Sequence, residues 1–336
     1  MFKKTFKIFL VLFSSLTVIA ILFLIYFNLP VKNIKNKANI GITFSNRYAK
    51  DIGLDWKEAY IAMLDDLGAK KIRIPVYWDL VEPEEGKYDF SEVDWQLQEA
   101  QKRKAEIILV VGQKVPRWPE CFIPGWANTS DEKREESLLK FVEAAIDHFK
   151  NYPAVKYWQV ENEPFLDFGI CPDIDSNLLD REIEIAKKTD NSRKIVITDS
   201  GELSLWVLAA KRADVFGTTM YREVVNKRLG AWEYPIGPNF FKFKRMLIEV
   251  FAKQENAVVV ELQGEPWLQG WTLNFPLEEQ LVSMNPDKLK DNVQFAKNSG
   301  FSDIYIWGVE WWYWTKTEQN YPELWNAAKD IFEKNN

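Results

Sequence analysis

The chain has 336 residues, 47% hydrophobic and 27% charged, which is room for one large domain or two ordinary ones. All six charged residues within 1–37 are lysines, so the remainder carries 37 basic against 49 acidic residues, a net charge of −12 that disfavours nucleic acid as a partner. Two cysteines, Cys121 and Cys171, are too few for a disulfide scaffold or a Cys-based zinc site, and the single histidine, His148, argues against a Ser-His-Asp triad or a multi-histidine metal site.

In chain order, Lys3, Lys4 and Lys7 precede a charge-free run of 20 residues over 8–27. That length predicts a membrane-spanning helix, with residues 1–37 as cytoplasmic tail, anchor and short linker, and the lipid bilayer as a partner through residues 8–27. Residues 28–31 offer no small-residue cleavage site, so an anchor is favoured over a signal peptide removed on secretion. From residue 38 to 336 apolar, β-rich runs alternate with amphipathic ones. Strands are predicted over 39–44, 71–76, 106–112, 155–161, 194–198, 215–220, 257–261 and 303–307, each followed by a helical pattern: 55–67, 92–104, 131–150, 177–189, 202–212, 239–254, 286–299 and 322–334. Thr129 with Glu132 three residues on reads as a capping box for the third helix. Pro286 and Pro322 stand near the starts of the last two, where a missing N–H costs little.

Eight such repeats predict an α/β fold, a single (β/α)8 TIM barrel, rather than an open doubly wound sheet. No Gly-rich fingerprint follows the first strand, which disfavours a dinucleotide. Barrels of this kind carry their sites at the C-terminal ends of the strands. Two strands end there in glutamates: Trp158-Gln159-Val160-Glu161-Asn162-Glu163-Pro164 on the fourth, and Val258-Val259-Val260-Glu261-Leu262-Gln263-Gly264 on the seventh. A pair of carboxyls across one cleft is the minimum equipment for cutting a glycosidic bond: one protonates the leaving oxygen, the other attacks or activates water.

Asn162-Glu163-Pro164 together with Glu261 resembles the clan of retaining (β/α)8 glycoside hydrolases that includes cellulase-like, mannanase-like and β-galactosidase-like families. Arg73, in Lys71-Ile72-Arg73-Ile74-Pro75, looks like the clan's second-strand arginine, and the loop from Glu82 to Phe90 is similar to the one that follows it in many members. Tyr221 after the sixth strand and Trp307 at the end of the eighth fit two further clan positions. The resemblance implies Glu163 as acid/base, Glu261 as nucleophile and Asn162 on the sugar's 2-hydroxyl, with Arg73 and Tyr221 hydrogen-bonded to Glu261. It implies no metal and no organic cofactor. The missing histidines depart from the best-known cellulase-like pattern, which counts against that family and its substrates but not against the two-glutamate mechanism.

Alternatives stay open in the residues themselves. Strict strand alternation would point Glu161 and Glu163 to one face and turn Asn162 away, unless a bulge aims Asn162 and Glu163 together. Glu265 rivals Glu261; Arg73 could be structural and Tyr221 a rim aromatic. Glu82, Glu84 and Glu85 read as a solvated acidic turn. Eleven of the 15 tryptophans fall in or just beyond predicted strands. An indole can carry the apolar face of a sugar ring, and Trp78, Trp118 and Trp267 are candidates beside Trp307. The expectation is an extracytoplasmic retaining glycosidase acting on a β-linked oligosaccharide or polysaccharide. A barrel that binds carbohydrate without turnover and a transglycosylase are its rivals. Cys121 and Cys171, in loops after consecutive strands, are either bridged or two free thiols.

Overall fold

A computed structural model describes residues 2–226 and 230–335. Eight parallel strands close into a barrel: β1 Asn39–Thr43, β2 Lys71–Pro75, β3 Glu106–Val111, β4 Val155–Val160, β5 Lys194–Asp199, β6 Val215–Met220, β7 Ala257–Gln263 and β8 Asp303–Trp307. Each strand pairs with its sequence neighbours and β8 closes on β1, with Thr43 opposite Trp307. The strands are short runs of Ile, Val and Leu because both faces are buried, one against helices and one inside the barrel. Toward the N-terminal end Ile108, Val196, Val215 and Tyr305 fill the interior. Farther up, the inward positions turn polar, with buried Arg73, Gln159 and Thr198. That change along the axis is what makes one end a core and the other a site.

The outer helices begin where short polar side chains accept the first free N–H groups. Asp55 caps Trp56–Asp65, Asp175 caps Ser176–Thr189, and Asn285 caps Pro286–Asn298 with Pro286 in the first turn. For Asp131–Phe149 the cap is Ser130, which accepts from the Lys133 N–H, and not Thr129 as the capping-box pattern predicts. The fifth helical pattern shrinks to Val207–Ala210. An antiparallel hairpin, Glu223–Asn226 with Gly230–Glu233, follows β6 unannounced. Its base is held by Gln263 at the end of β7, which accepts from the Arg222 and Glu223 N–H groups and donates to the Glu223 carbonyl.

The expected membrane anchor is overturned. Among the described residues no helix is long and apolar enough to cross a membrane. The segment forms a helix, Phe2–Phe27, whose last turns rest on the barrel's Pro238–Ala252 helix. The Phe27 ring meets Phe240 edge-on at 5.2 Å, and Phe23 lies 5.5 Å from Phe243. Asn28 Nδ2 donates to the Pro235 carbonyl at 3.0 Å. Phe23 and Phe27, which hydropathy alone assigns to lipid, are here in contact with protein, while Leu10 and the side chains from Leu12 to Leu22 stay exposed.

Candidate active site

β4 ends at Val160, and the next residues break the strand's alternation. Glu161 and Glu163 both take left-handed backbone conformations, with φ of 58° and 45°. Such conformations cost on the order of 1–2 kcal/mol each for a residue with a Cβ. Their effect is to send Glu161 out to the helical layer and to bring Asn162 and Glu163 inward together. The Glu161 carboxylate accepts from the Gln113 and Lys114 N–H groups at 2.8 and 2.6 Å. Position 112 must be glycine for this to happen: a Cβ there would lie 2.6 Å from the Glu161 carboxyl carbon. Beside Glu161 is Glu182, kept protonated first by burial and then by the Glu161 charge.

Arg73 is the hub of the site. Its guanidinium is fully buried and donates in three directions: to Gln159 Oε1 at 2.8 Å, Asn162 Oδ1 at 2.7 Å and Glu261 Oε1 at 2.6 Å. The second oxygen of Glu261 accepts from the Tyr221 hydroxyl at 3.1 Å. Both oxygens of Glu261 are therefore oriented, and its charge has a buried partner.

Glu163 is treated differently. One oxygen accepts from Thr219 Oγ1 at 2.9 Å, and no described residue donates to the other. Burial first, then the charges of Glu261 and Glu120, push its carboxyl well above the usual range. Its backbone is fixed by Thr198, which accepts from the Glu163 N–H, and by buried Lys114, which donates to the Glu163 and Leu166 carbonyls.

The other sequence candidates divide into two groups. Trp267 meets Tyr221 edge-on at 5.0 Å, and through Phe168 it continues to Trp118, which is 65% exposed at the rim. These rings run from the carboxyls to the protein surface. Trp78 is not among them: it is fully buried, stacked on Phe141 at 5.4 Å, with its N–H on Glu82. Glu82 is thus a buried acceptor rather than part of a solvated turn. Trp307 is at the mouth, but the Arg117 guanidinium covers a face of its ring at 3.7 Å and that of Tyr48 at 3.6 Å. Arg117 also ion-pairs with Glu265 and Glu310, so Glu265 is committed to a salt bridge while Glu261 faces Glu163. Lys114, Thr219, Arg117 and Glu120 escape sequence reading, because no local pattern marks them.

A disulfide joins Cys121 to Cys171, with Cα atoms 5.2 Å apart, and ties the loop after β3 to the loop after β4. Among the described residues no cluster of His, Cys, Asp and Glu could hold a metal ion. A cavity of about 270 Å³ lies at the opposite end of the barrel, lined by Lys71, Lys194, Arg245 and Asp303, and none of the site residues named above lines it.

A closed barrel with opposed carboxyls at the C-terminal ends of β4 and β7 is the framework of a (β/α)8 glycoside hydrolase. Residues 34–297 match the family Cellulase (glycosyl hydrolase family 5), and the chain belongs to it. No curated protein matches the chain in sequence. Among solved structures it is similar to a β-galactosidase from the psychrophilic Marinomonas ef1, with 12% identity and a TM-score of 0.58 over 88% of this chain and 59% of that one. It is also similar to xylanase 10B from Thermotoga petrophila RKU-1, with 17% identity and a TM-score of 0.55 over 91% and 99% of the two chains. A third is the exo-β-1,4-mannosidase Op5Man5 from Opitutaceae bacterium strain TAV5, with 14% identity and a TM-score of 0.51 over 83% and 54%. This chain thus spans less than two thirds of the galactosidase and of the mannosidase, and at these identities the likeness is one of fold.

Proposed function

We propose that this glycoside hydrolase cleaves a β-linked glycan with retention of configuration, using Glu163 as acid/base and Glu261 as nucleophile. The observation that carries the reading is the contrast between the two carboxyls. Glu261 has both oxygens oriented, by Arg73 and Tyr221. Glu163 keeps its proton through burial and the Glu261 charge, and has one oxygen without a donor. A carboxyl that holds its proton opposite one oriented by an ion pair and a hydroxyl is what double displacement requires.

In the first step the Glu163 proton goes to the glycosidic oxygen as its bond to C1 breaks, and a Glu261 oxygen bonds C1. In the second, Glu163 takes a proton from water, the water oxygen bonds C1, and Glu261 leaves as carboxylate. Asn162, oriented by Arg73, takes the 2-hydroxyl. The ring series Tyr221, Trp267, Phe168 and Trp118 supports an extended sugar chain. The disulfide supports an extracytoplasmic location, where such bridges persist.

The test is the anomeric configuration of the first product formed from an aryl β-glycoside, followed by proton NMR. Early accumulation of the β-hemiacetal is the expected result. Early accumulation of the α-anomer would mean inversion and remove the nucleophile role of Glu261.

A further inference from the structure

Glu120 is a third carboxyl in this space. It stands on the loop after β3 and is 8% exposed. One oxygen, Oε2, accepts from Asn162 Nδ2 at 3.3 Å. No described residue donates to Oε1. The carboxyl faces Glu261, whose charge, after burial, is the largest influence raising its pKa to about 8. In turn Glu120 helps to raise Glu163. Three buried carboxyls therefore act on one another at this end of the barrel.

The loop is built to hold Glu120 there. Its residue is in a left-handed conformation, φ 76°, with its N–H on the Arg117 carbonyl at 2.6 Å and its carbonyl on the Val115 N–H at 2.9 Å. The next residue is the bridged Cys121. From the other loop Gly169 packs against it, where a Cβ would lie 2.7 Å from the Glu120 Cβ. A carboxyl taken out of water for one long hydrogen bond is a net cost to folding. A group kept at such cost beside a cleft is one that meets a ligand.

We infer that Glu120 is a specificity-determining residue of this site: it contacts the ring hydroxyl next to the one Asn162 takes, and it confines that position to an uncharged sugar. This rests on the reading of Glu163 and Glu261 as the pair acting at C1. With Asn162 on the 2-hydroxyl, the neighbouring group away from C1 is the 3-hydroxyl, and Glu120 is the carboxyl bonded to Asn162. A uronic acid would bring a second carboxylate toward salt-bridged Glu261, while the cations acting on these carboxyls are already committed: Arg73 to Glu261, Asn162 and Gln159, and Lys114 to the Glu163 and Leu166 carbonyls.

The experiment compares wild type, Glu120→Gln and Glu120→Ala on an aryl β-glycoside the enzyme accepts, its 3-deoxy analogue and its uronide analogue, reading kcat and KM separately. Removing either partner of the contact should lower kcat/KM about 10- to 100-fold. The two losses should not multiply: Glu120→Ala should treat the 3-deoxy substrate no worse than the parent. Glu120→Gln, which preserves shape and the capacity to bond a hydroxyl, should recover most of the loss. The uronide should be turned over by wild type at about 1% of the parent rate or less. Losses that multiply, or a uronide handled as well as its neutral parent, would overturn the role of Glu120 while leaving Glu163 and Glu261 in place. Absence of wild-type turnover on every aryl β-glycoside would sink the underlying pair, and Glu120 with it.

Discussion

Replacing Arg73 by lysine keeps a positive charge at the hub but removes its fork. The guanidinium makes three directed bonds, to Gln159, Asn162 and Glu261, at 2.6–2.8 Å. A lysine ammonium on a shorter, non-planar head can satisfy Glu261 but leaves Gln159 Oε1 without its donor, and Asn162 Oδ1 with only the longer bonds from Thr198 and Gln159 at 3.3 and 3.4 Å. An unsatisfied acceptor costs about 1–3 kcal/mol, so the substitution should destabilise the fold by roughly that amount. Catalysis should suffer separately, because Glu261 and Asn162 lose their common reference point. A displacement of about 1 Å at a reacting group is worth on the order of 100-fold in rate. The assay is kcat/KM on an aryl β-glycoside at a temperature where circular dichroism shows the variant folded. Arg73→Lys should lose about 100-fold or more, and in combination with Asn162→Ala the losses should overlap, since both act through one bond. A folded Arg73→Lys enzyme within about threefold of wild type would show that charge alone suffices and that the fork geometry is irrelevant.

Other outcomes follow from the same geometry. Thr219 donates to Glu163 and so favours its ionised form. Thr219→Val should raise the Glu163 pKa further and move the alkaline limb of the kcat/KM profile up by a few tenths to about one pH unit; a limb moving down would refute the assignment. Glu182 is protonated in the fold with its pKa raised well above 4.5, whereas in the unfolded chain it ionises in the ordinary range. Its folded form therefore binds the extra proton, and the stability it costs grows as pH rises above the unfolded value. Glu182→Gln should raise Tm at pH 8 relative to wild type and change it little at pH 4; equal shifts at both would contradict the linkage. The disulfide closes a loop with a sequence separation of 50 residues, for which the chain-entropy estimate is about 4 kcal/mol. Cys121→Ser with Cys171→Ser should lower denaturant stability toward that limit and raise KM, because the Glu120 loop loses its tie to the Gly169 loop. An unchanged KM would mean that loop does not border the substrate.

The barrel was legible because its strands are apolar on both faces and its helices carry strong amphipathic periods. All eight barrel strands fall within two residues of their predicted ends. What failed was local or contextual. The polar-looking hairpin after β6 exists because Gln263 holds its base, a contact 40 residues away in sequence. Trp78 and Glu82, read as a sugar platform and a solvated acid, satisfy one another in the interior. The helix over 2–27 looked like a membrane anchor because hydropathy does not record that Phe23 and Phe27 meet Phe243 and Phe240. Within the site, Glu163, Glu261, Asn162, Arg73 and Tyr221 come together at the mouth. The departure from strand alternation that allows this is two left-handed residues, which nothing in Glu161-Asn162-Glu163 announces. Glu120 and Lys114 sit in loops without periodicity, so their proximity to the carboxyls is a property of the fold alone.

The central claim is that Glu261 forms a covalent bond to the sugar. Incubation with a 2-deoxy-2-fluoro β-glycoside bearing a good leaving group, followed by peptide mass mapping, tests it directly. Time-dependent inactivation is expected, with the fluorosugar attached to Glu261 and no label in Glu261→Ala. Label found on Glu163 or Glu265, or turnover continuing unimpaired with no adduct formed, would contradict it.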